Sequence, residues 1–272
     1  MSDPSLEELS AFAERLADAA RAETLPRFRA NAEIDTKAGA LFDPVTDADR
    51  EAERAMRRLI AAHYPGHGVI GEEFGKTAPE ALYRWVLDPV DGTRAFICGV
   101  PSWATLIAVE RAGTPLVGVI DQPFTSERWI GRAGAGAVYG RSGAAAPCRT
   151  SGVEALARAR VSTTDPRAAG YFTREEADAF AAVAARARLA RFSLDAYGYA
   201  LLATGEIDLV IEASLNHHDV AALIPVVEGA GGVITGWRGE APGADDRGRV
   251  VAAASPALHA AALEILSASG GR

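Results

Sequence analysis

The sequence predicts a layered α/β fold (α+β layered), and three observations carry that reading. An amphipathic helix opens the chain, a series of strand-length apolar segments follows, and the second half alternates strands with helices. At 272 residues, 49% hydrophobic and 24% charged, the chain has volume for one large domain or two intimate lobes and needs no covalent staple.

Residues 3 to about 28 form the first helix: Asp3-Pro4 and the Ser5-to-Glu8 spacing start it, and Leu6, Leu9, Ala13, Leu16 and Ala20 make its apolar stripe. A second helix begins near Thr46 and runs through Ala52, Met56, Leu59 and Ile60 to the Pro65-Gly66 break. Segments 68–71, 84–87, 103–109, 116–120 and 128–130 have strand length, with Gly, Pro or Asp near their ends. The stretch 144–153 turns small and polar and reads as a crossing between an N-terminal lobe, about 1–143, and a C-terminal lobe, about 144–272, of a single unit. Beyond it come a strand at 159–163, helices at 173–187 and 194–203, and a buried strand at 207–211. A helix over 219–228 stops at Gly229-Ala-Gly-Gly232, and a strand at 250–254 and a helix after Pro256 complete the series. The glycines of Gly131-Arg-Ala-Gly134-Ala-Gly136 lie between strand-like segments, so they read as a turn; a dinucleotide-binding loop needs a helix there.

Composition excludes several function classes. A net charge of −8 disfavours nucleic acid, whose affinity rests on clustered Lys and Arg. Cys98 and Cys148 are too few for a disulfide framework or thiolate zinc site and read as reduced thiols. The start, MSDPSLEEL, lacks the basic and apolar parts of a leader, and no run approaches the ~20 apolar residues of a membrane helix. The expectation is a cytoplasmic protein with no membrane partner.

The chemistry concentrates in Trp85-Val-Leu-Asp88-Pro89-Val90-Asp91-Gly92-Thr93-Arg94-Ala95-Phe96. An apolar strand delivers Asp88, Pro89 fixes a turn, and Asp91 follows on the same side. Two carboxylates aimed at one point repel, and hard, oxygen-liganded cations are the natural compensation. Gly92 allows close backbone approach, while Thr93 and its neighbours expose N–H groups at a helix start, which suits a phosphate.

This run resembles the inositol-monophosphatase superfamily of metal-dependent phosphatases. So do Val45-Thr46-Asp47-Ala48-Asp49, Gly71-Glu72-Glu73, and His218-Asp219-Val220-Ala221-Ala222 followed by Glu228-Gly-Ala-Gly-Gly232, all in family order. The resemblance implies alternating α-β-α-β-α layers, a homodimer, a small phosphorylated metabolite as substrate, and two to three Mg2+ ions, with Mn2+ as a substitute. Glu72, Asp88 and the Val90 carbonyl would hold one ion; Asp88, Asp91 and Asp219 a second; Glu72 a third, weaker one. A water activated by metal would attack the phosphorus in line. Thr93, hydrogen-bonded to Asp49, would position that water or take its proton, and Gly92 and Thr93 would bind the phosphate.

Plainer roles compete with these. Asp49 also suits a helix first turn, Asp219 and Asp195 suit helix N-caps, and Glu73 reads as solvated or as lying outside the metal's direct ligands. Lys37 lies near the place of a family loop lysine, one residue further from Asp49 than the pattern has it. His217 and His218 stand where the family commonly has an aromatic residue, and they read as packing residues, not paired zinc ligands. Tyr197 and Tyr199 read as packing residues of a short helix.

Within the superfamily, Arg94-Ala95-Phe96, the segment 193–203 and the stretch 207–232 are similar to histidinol-phosphate phosphatases. Histidinol phosphate carries an ammonium group that Glu212 or Asp195 would meet, with Arg94 as a further substrate contact. Inositol phosphate, a nucleotide 3′-phosphate, and a catalytically silent binding role are the alternatives.

Overall fold

The computed structural model describes residues 3–30, 35–36, 44–141, 143–168, 170–243 and 247–269. Lys37 lies outside the described residues. Helices α1 (Leu6–Thr24) and α2 (Asp47–His63) follow the sequence closely, each with a capping box, Ser5 with Glu8 and Thr46 with Asp49. Helix α1 stops before the expected position because Pro26 turns the chain into a 3-10 turn at Leu25–Arg27. A two-stranded ribbon, β1 (Asp35–Thr36) and β2 (Pro44–Val45), lies between the two helices in the chain.

Strands β3 (Gly68–Gly71), β4 (Gly75–Thr77) and β5 (Tyr83–Asp91) precede the short helix α3 (Thr93–Ile97). Then come β6 (Ala104–Arg111), β7 (Thr114–Gln122), β8 (Glu127–Arg132), β9 (Gly136–Arg141) and β10 (Ala144–Pro147). They form an eight-stranded sheet in the order β10-β9-β8-β7-β6-β5-β3-β4, antiparallel except for β3 with β5. Residues 144–147, expected to begin a crossing, instead hydrogen-bond to β9 as the edge of this sheet.

The remaining elements are β11 (Arg160–Thr163), α4 (Arg174–Ala184), β12 (Leu189–Phe192), α5 (Ala196–Ala203), β13 (Leu209–Glu212), α6 (His217–Val220), α7 (Leu223–Gly229), β14 (Val233–Thr235), β15 (Val250–Ala253) and α8 (Pro256–Ser269). A second, five-stranded sheet runs β12-β11-β13-β15-β14. The helix expected over 219–228 is split: Pro225 has no N–H to give the Ala221 carbonyl, and the chain turns between α6 and α7.

Strand alternation sorts these elements into layers. Trp85 and Leu87 of β5 point to the α1/α2 side, packing with Leu9, Phe12 and Met56. Val86 points the other way, into a core shared with Tyr199, Leu223, Val226 and Val210. That core puts α5 and α7 between the two sheets, and α5 is accordingly apolar around most of its circumference. Beyond the second sheet, Val161, Leu209, Ile211 and Val251 pack against α4 and α8. The order is α-β-α-β-α, as the resemblance implied.

Two glycines set how closely the middle layer approaches the large sheet. Gly118 and Gly131 are register partners on β7 and β8. A Cβ on Gly118 would lie 2.1 Å from the Ala222 carbonyl oxygen, and one on Gly131 would lie 2.1 Å from the Pro225 carbonyl carbon. Backbone rests on backbone there, immediately after the helix that carries Asp219. We expect Gly118→Ala and Gly131→Ala each to cost about 1–3 kcal/mol of stability, or more. Gly66→Ala, with nothing within 4 Å, should stay within about 0.5 kcal/mol. Urea unfolding of the three variants checks this; equal stability would show that the notch is not needed.

Candidate active site

The site begins with an irregularity in β5. Asp88 pairs with Leu106 and Asp91 with Ala104, so three steps on β5 match two on β6. The extra residue is a bulge, and it turns Asp91 to the same side as Asp88 although their separation is odd. The bulge is held from both flanks: Thr105 Oγ1 donates to the Pro89 carbonyl at 2.7 Å, and the Val90 N–H donates to Asp88 Oδ1 at 3.1 Å. Gly92 follows at φ 79°, where a side chain would be strained and where a Cβ would press on Asp195 at 3.0 Å. It opens α3, whose first N–H groups have no intrahelical acceptor, and Gly92 and Thr93 both line the cleft.

Asp219 arrives from the other half of the chain. It is not the N-cap of its helix: Asn216 is, and Asp219 sits three residues on, its Oδ2 accepting the Asn216 N–H at 2.6 Å. Oxygens of Asp88, Asp91 and Asp219 come within 4.8 Å of one another. Asp91 is fixed by the Ala196 N–H at the start of α5, 2.7 Å from Oδ2. Desolvation pushes the Asp88 carboxyl well up, reinforced by the charges of Glu72, Asp91 and Asp219; Asp91 is raised by desolvation and by Asp195 and Asp219. Asp219 is raised as well, by desolvation, against the opposing influence of His218. All-oxygen donors that resist joint ionisation fit a hard divalent cation.

Glu72 lines the same cleft, of about 290 Å³, on the turn after β3. Its turn is pinned by a residue the sequence reading passed over. Glu53, fully buried on α2, accepts the Glu73 N–H at 2.8 Å and the Phe74 N–H at 3.2 Å, and is itself paired with Arg57 at 2.7 Å. An acid four residues after Asp49, on the same helix face and beside the apolar stripe of α2, is the signal that would have found it.

Thr93 reaches the cleft, but Asp49 does not line it. The expected Thr93–Asp49 hydrogen bond is not formed among the described residues. Thr93 Oγ1 donates to the Val90 carbonyl at 3.1 Å, and Asp49 Oδ2 accepts from the Thr46 N–H at 2.8 Å and hydroxyl at 2.6 Å. The capping reading of Asp49 thus holds for Oδ2, while Oδ1 is buried without a partner. Burial raises the Asp49 carboxyl to about 7, against the hydrogen bonds from Thr46.

The remaining expected contacts, Glu212, Asp195 and Arg94, line the same cleft. Glu212 is buried and its carboxyl is pushed up to about 8 by burial. Its Oε1 accepts from the Thr164 N–H at 2.7 Å and hydroxyl at 2.9 Å, and Oε2 from the Thr163 hydroxyl at 3.2 Å. It therefore supports the 163–164 loop as well as facing the cleft. Asp195 stands before α5 at φ 50° without making a side-chain cap, and burial raises it to about 6 against the Arg94 charge. The Arg94 guanidinium lies 4.9 Å over the Tyr171 ring. The two histidines diverge: His218 Nε2 is 3.3 Å from Asp219 Oδ1, while His217 turns to the buried Glu110 at 3.0 Å. They share no metal-binding point.

Among the described residues no helix is long and apolar enough to cross a membrane. The chain is 39% identical to the chloroplastic bifunctional phosphatase IMPL2 of Arabidopsis thaliana, over 98% of this chain and 77% of that protein. It is 37% identical to a histidinol-phosphatase of Mycobacterium tuberculosis, over 83% of this chain and 87% of that one. The solved structure of an inositol monophosphatase from Zymomonas mobilis superposes with a TM-score of 0.85 at 38% identity, covering 97% of this chain and 100% of that one. Residues 5–270 match the inositol monophosphatase family, and with carboxylates of β5 and α6 converging on one cleft, the chain belongs to that family of phosphatases.

Proposed function

We propose that this phosphatase hydrolyses a small phosphate monoester with the help of magnesium, histidinol phosphate being the favoured substrate. The observation that carries the reading is the carboxylate cluster beside a helix start, within one cleft that Glu212 and Asp195 also line. Asp88, Asp91 and Asp219 would hold one ion and Glu72, Asp88 and the Val90 carbonyl another, with Glu72 serving a weaker third; manganese would substitute. Held there, the ions supply Lewis-acid charge that orients the phosphoryl oxygens and makes water nucleophilic near neutral pH.

The chain's own residues do the rest. N–H groups of Gly92 and Thr93 seat the phosphate. Thr93 orients the attacking water or takes its proton once its hydroxyl turns from the Val90 carbonyl. Glu212 and Asp195 meet the ammonium end of the substrate, and Arg94 flanks it. The similarity to a histidinol-phosphatase supports this choice; the similarity to an inositol monophosphatase supports inositol phosphate as the second reading. Phosphate release from histidinol phosphate, inositol 1-phosphate and adenosine 3′,5′-bisphosphate, compared by kcat/KM, tests it. Histidinol phosphate should lead, and a lead for inositol phosphate would overturn the substrate while leaving the reaction.

Asp91→Asn and Asp219→Asn should each lower kcat/KM by about 10²-fold or more while the far-ultraviolet dichroism stays native. Each removes ligand charge without removing core volume, so near-normal turnover of both variants would refute the ligand set.

The raised carboxyls also link stability to pH. Glu212 at about 8 and Asp49 at about 7 bind protons in the folded state that the unfolded chain, in the ordinary carboxylate range, has released. Stability of the metal-free protein should therefore fall as pH rises from about 5 through 8. Magnesium competes with protons for the cluster, so the rise in Tm that it produces should be larger at pH 8.5 than at pH 6. A thermal-shift titration at both values checks this, and a larger effect at pH 6 would contradict it.

A further inference from the structure

Glu53 does not line the cleft, yet the structure gathers donors around its carboxyl from the segment that does. Fully buried on α2, it accepts the Glu73 N–H on Oε2 at 2.8 Å and the Phe74 N–H on Oε1 at 3.2 Å, and Arg57 Nε donates to Oε1 at 2.7 Å. Arg57 carries the grip further along the chain: its Nη1 donates to Thr77 Oγ1 at 3.1 Å and its Nη2 to the Gly75 carbonyl. The Glu53–Arg57 pair thus spans the hairpin from the turn after β3 to the end of β4. Room for it is left by Gly71, where a Cβ would lie 1.9 Å from Glu53 Oε1 and 2.7 Å from Arg57 Nη2.

What this clamp holds is the backbone that carries Glu72. Asp88, Asp91 and Asp219 each receive a backbone N–H on the carboxylate itself, at 3.1, 2.7 and 2.6 Å. At Glu72 the main chain is what is fixed. Its own N–H donates at 3.2 Å to the carbonyl of Leu87, the residue before Asp88, and the next two N–H groups go to Glu53. One side of Glu72 is therefore tied to the strand bearing Asp88 and the other side to α2. Strand β4 beyond it is an exposed sheet edge, so packing does little to hold the hairpin, and a turn tied at Leu87 alone would open locally at low cost. Groups that orient metal ligands from behind typically govern about 10- to 100-fold of metal affinity.

We propose that Glu53 is a positioning residue for the metal ions that Glu72 serves, fixing the turn from which Glu72 enters the cleft while touching neither ion nor substrate. The inference rests on the metal reading above and deepens it: the ion of Asp88, Asp91 and Asp219 is held independently of α2, and the ions that share Glu72 depend on it.

The test is Glu53→Gln, which keeps the shape and one acceptor oxygen but turns an amide NH2 toward groups that all donate. In calorimetric titration of the metal-free protein with magnesium, one class of sites should stay within about threefold of wild type and the other should weaken about tenfold or more. The magnesium concentration for half-maximal phosphate release should rise by the same factor, with kcat recovered at saturating magnesium. Because Glu53 acts through Glu72, adding Glu53→Gln to Glu72→Gln should lower magnesium affinity no further, whereas an independent structural role adds its own loss. Val183→Ala, a truncation in the core beyond the second sheet, gives a protein of lowered stability with an untouched cleft, and its magnesium affinity should match wild type. If Glu53→Gln does not fold, Glu53→Asp, which draws the carboxyl back by one methylene, carries the same comparison. Unchanged magnesium affinity in a folded Glu53 variant, or a loss that adds to that of Glu72→Gln, would overturn the inference. Magnesium binding without phosphate release from any substrate would refute the phosphatase reading and leave the inference to be decided by the titration. No magnesium binding by the wild-type protein would refute both.

Discussion

Three carboxylates that repel one another in a half-buried cleft are the constraint around which the rest of this structure is arranged. Asp88, Asp91 and Asp219 have oxygens within 4.8 Å, and no side chain among the described residues neutralises all three. Without anchoring, the chain would relieve that repulsion by swinging the side chains apart. It is prevented by backbone: the Val90 N–H holds Asp88, the Ala196 N–H holds Asp91, and the Asn216 N–H holds Asp219. These anchors come from β5, from α5 and from the residue that caps α6. The geometry of the site is thus a property of the whole layered fold.

That dependence explains features distant from the chemistry. The Gly118–Gly131 notch lets the α6–α7 turn at Ala222 and the first turn of α7 at Pro225 rest directly on the large sheet. Glu53 ties the turn bearing Glu72 to α2, and α2 is packed on α1 through Leu9, Phe12 and Met56. His217 clamps α6 to β6 through Glu110, which Arg84 also pairs. Polar contacts of this kind to a buried carboxylate contribute little net stability, but they specify position.

Much of this was legible in the sequence, for physical reasons that differ by element. Helices α1 and α2 announce themselves through capping boxes and an apolar stripe of period 3.6, and β5 through an unbroken apolar run ending in Asp-Pro. The strands that escaped notice, such as β4 with Gly-Lys-Thr and β12 with its exposed Leu189 and Phe192, lie at sheet edges, where burial imposes no pattern. The cluster of acids was readable because Asp88 and Asp91 sit together in the chain, and Asp219 followed from the family pattern. Hidden from sequence were contacts made only by folding: the bulge that turns Asp91, and the Thr93–Val90 bond in place of Thr93–Asp49. Local spacing cannot encode which of two acceptors a hydroxyl chooses.

If crowding of carboxylates is the central fact, protons and divalent metal must compete for the same oxygens. Isothermal titration of the metal-free protein with magnesium at pH 7, repeated in buffers of different ionisation enthalpy, counts the protons displaced on binding. The account predicts saturable binding with net release of about one proton or more, since carboxyls raised by burial and mutual repulsion must ionise to ligate. Binding that releases no proton, or no binding at concentrations that support turnover, would contradict it.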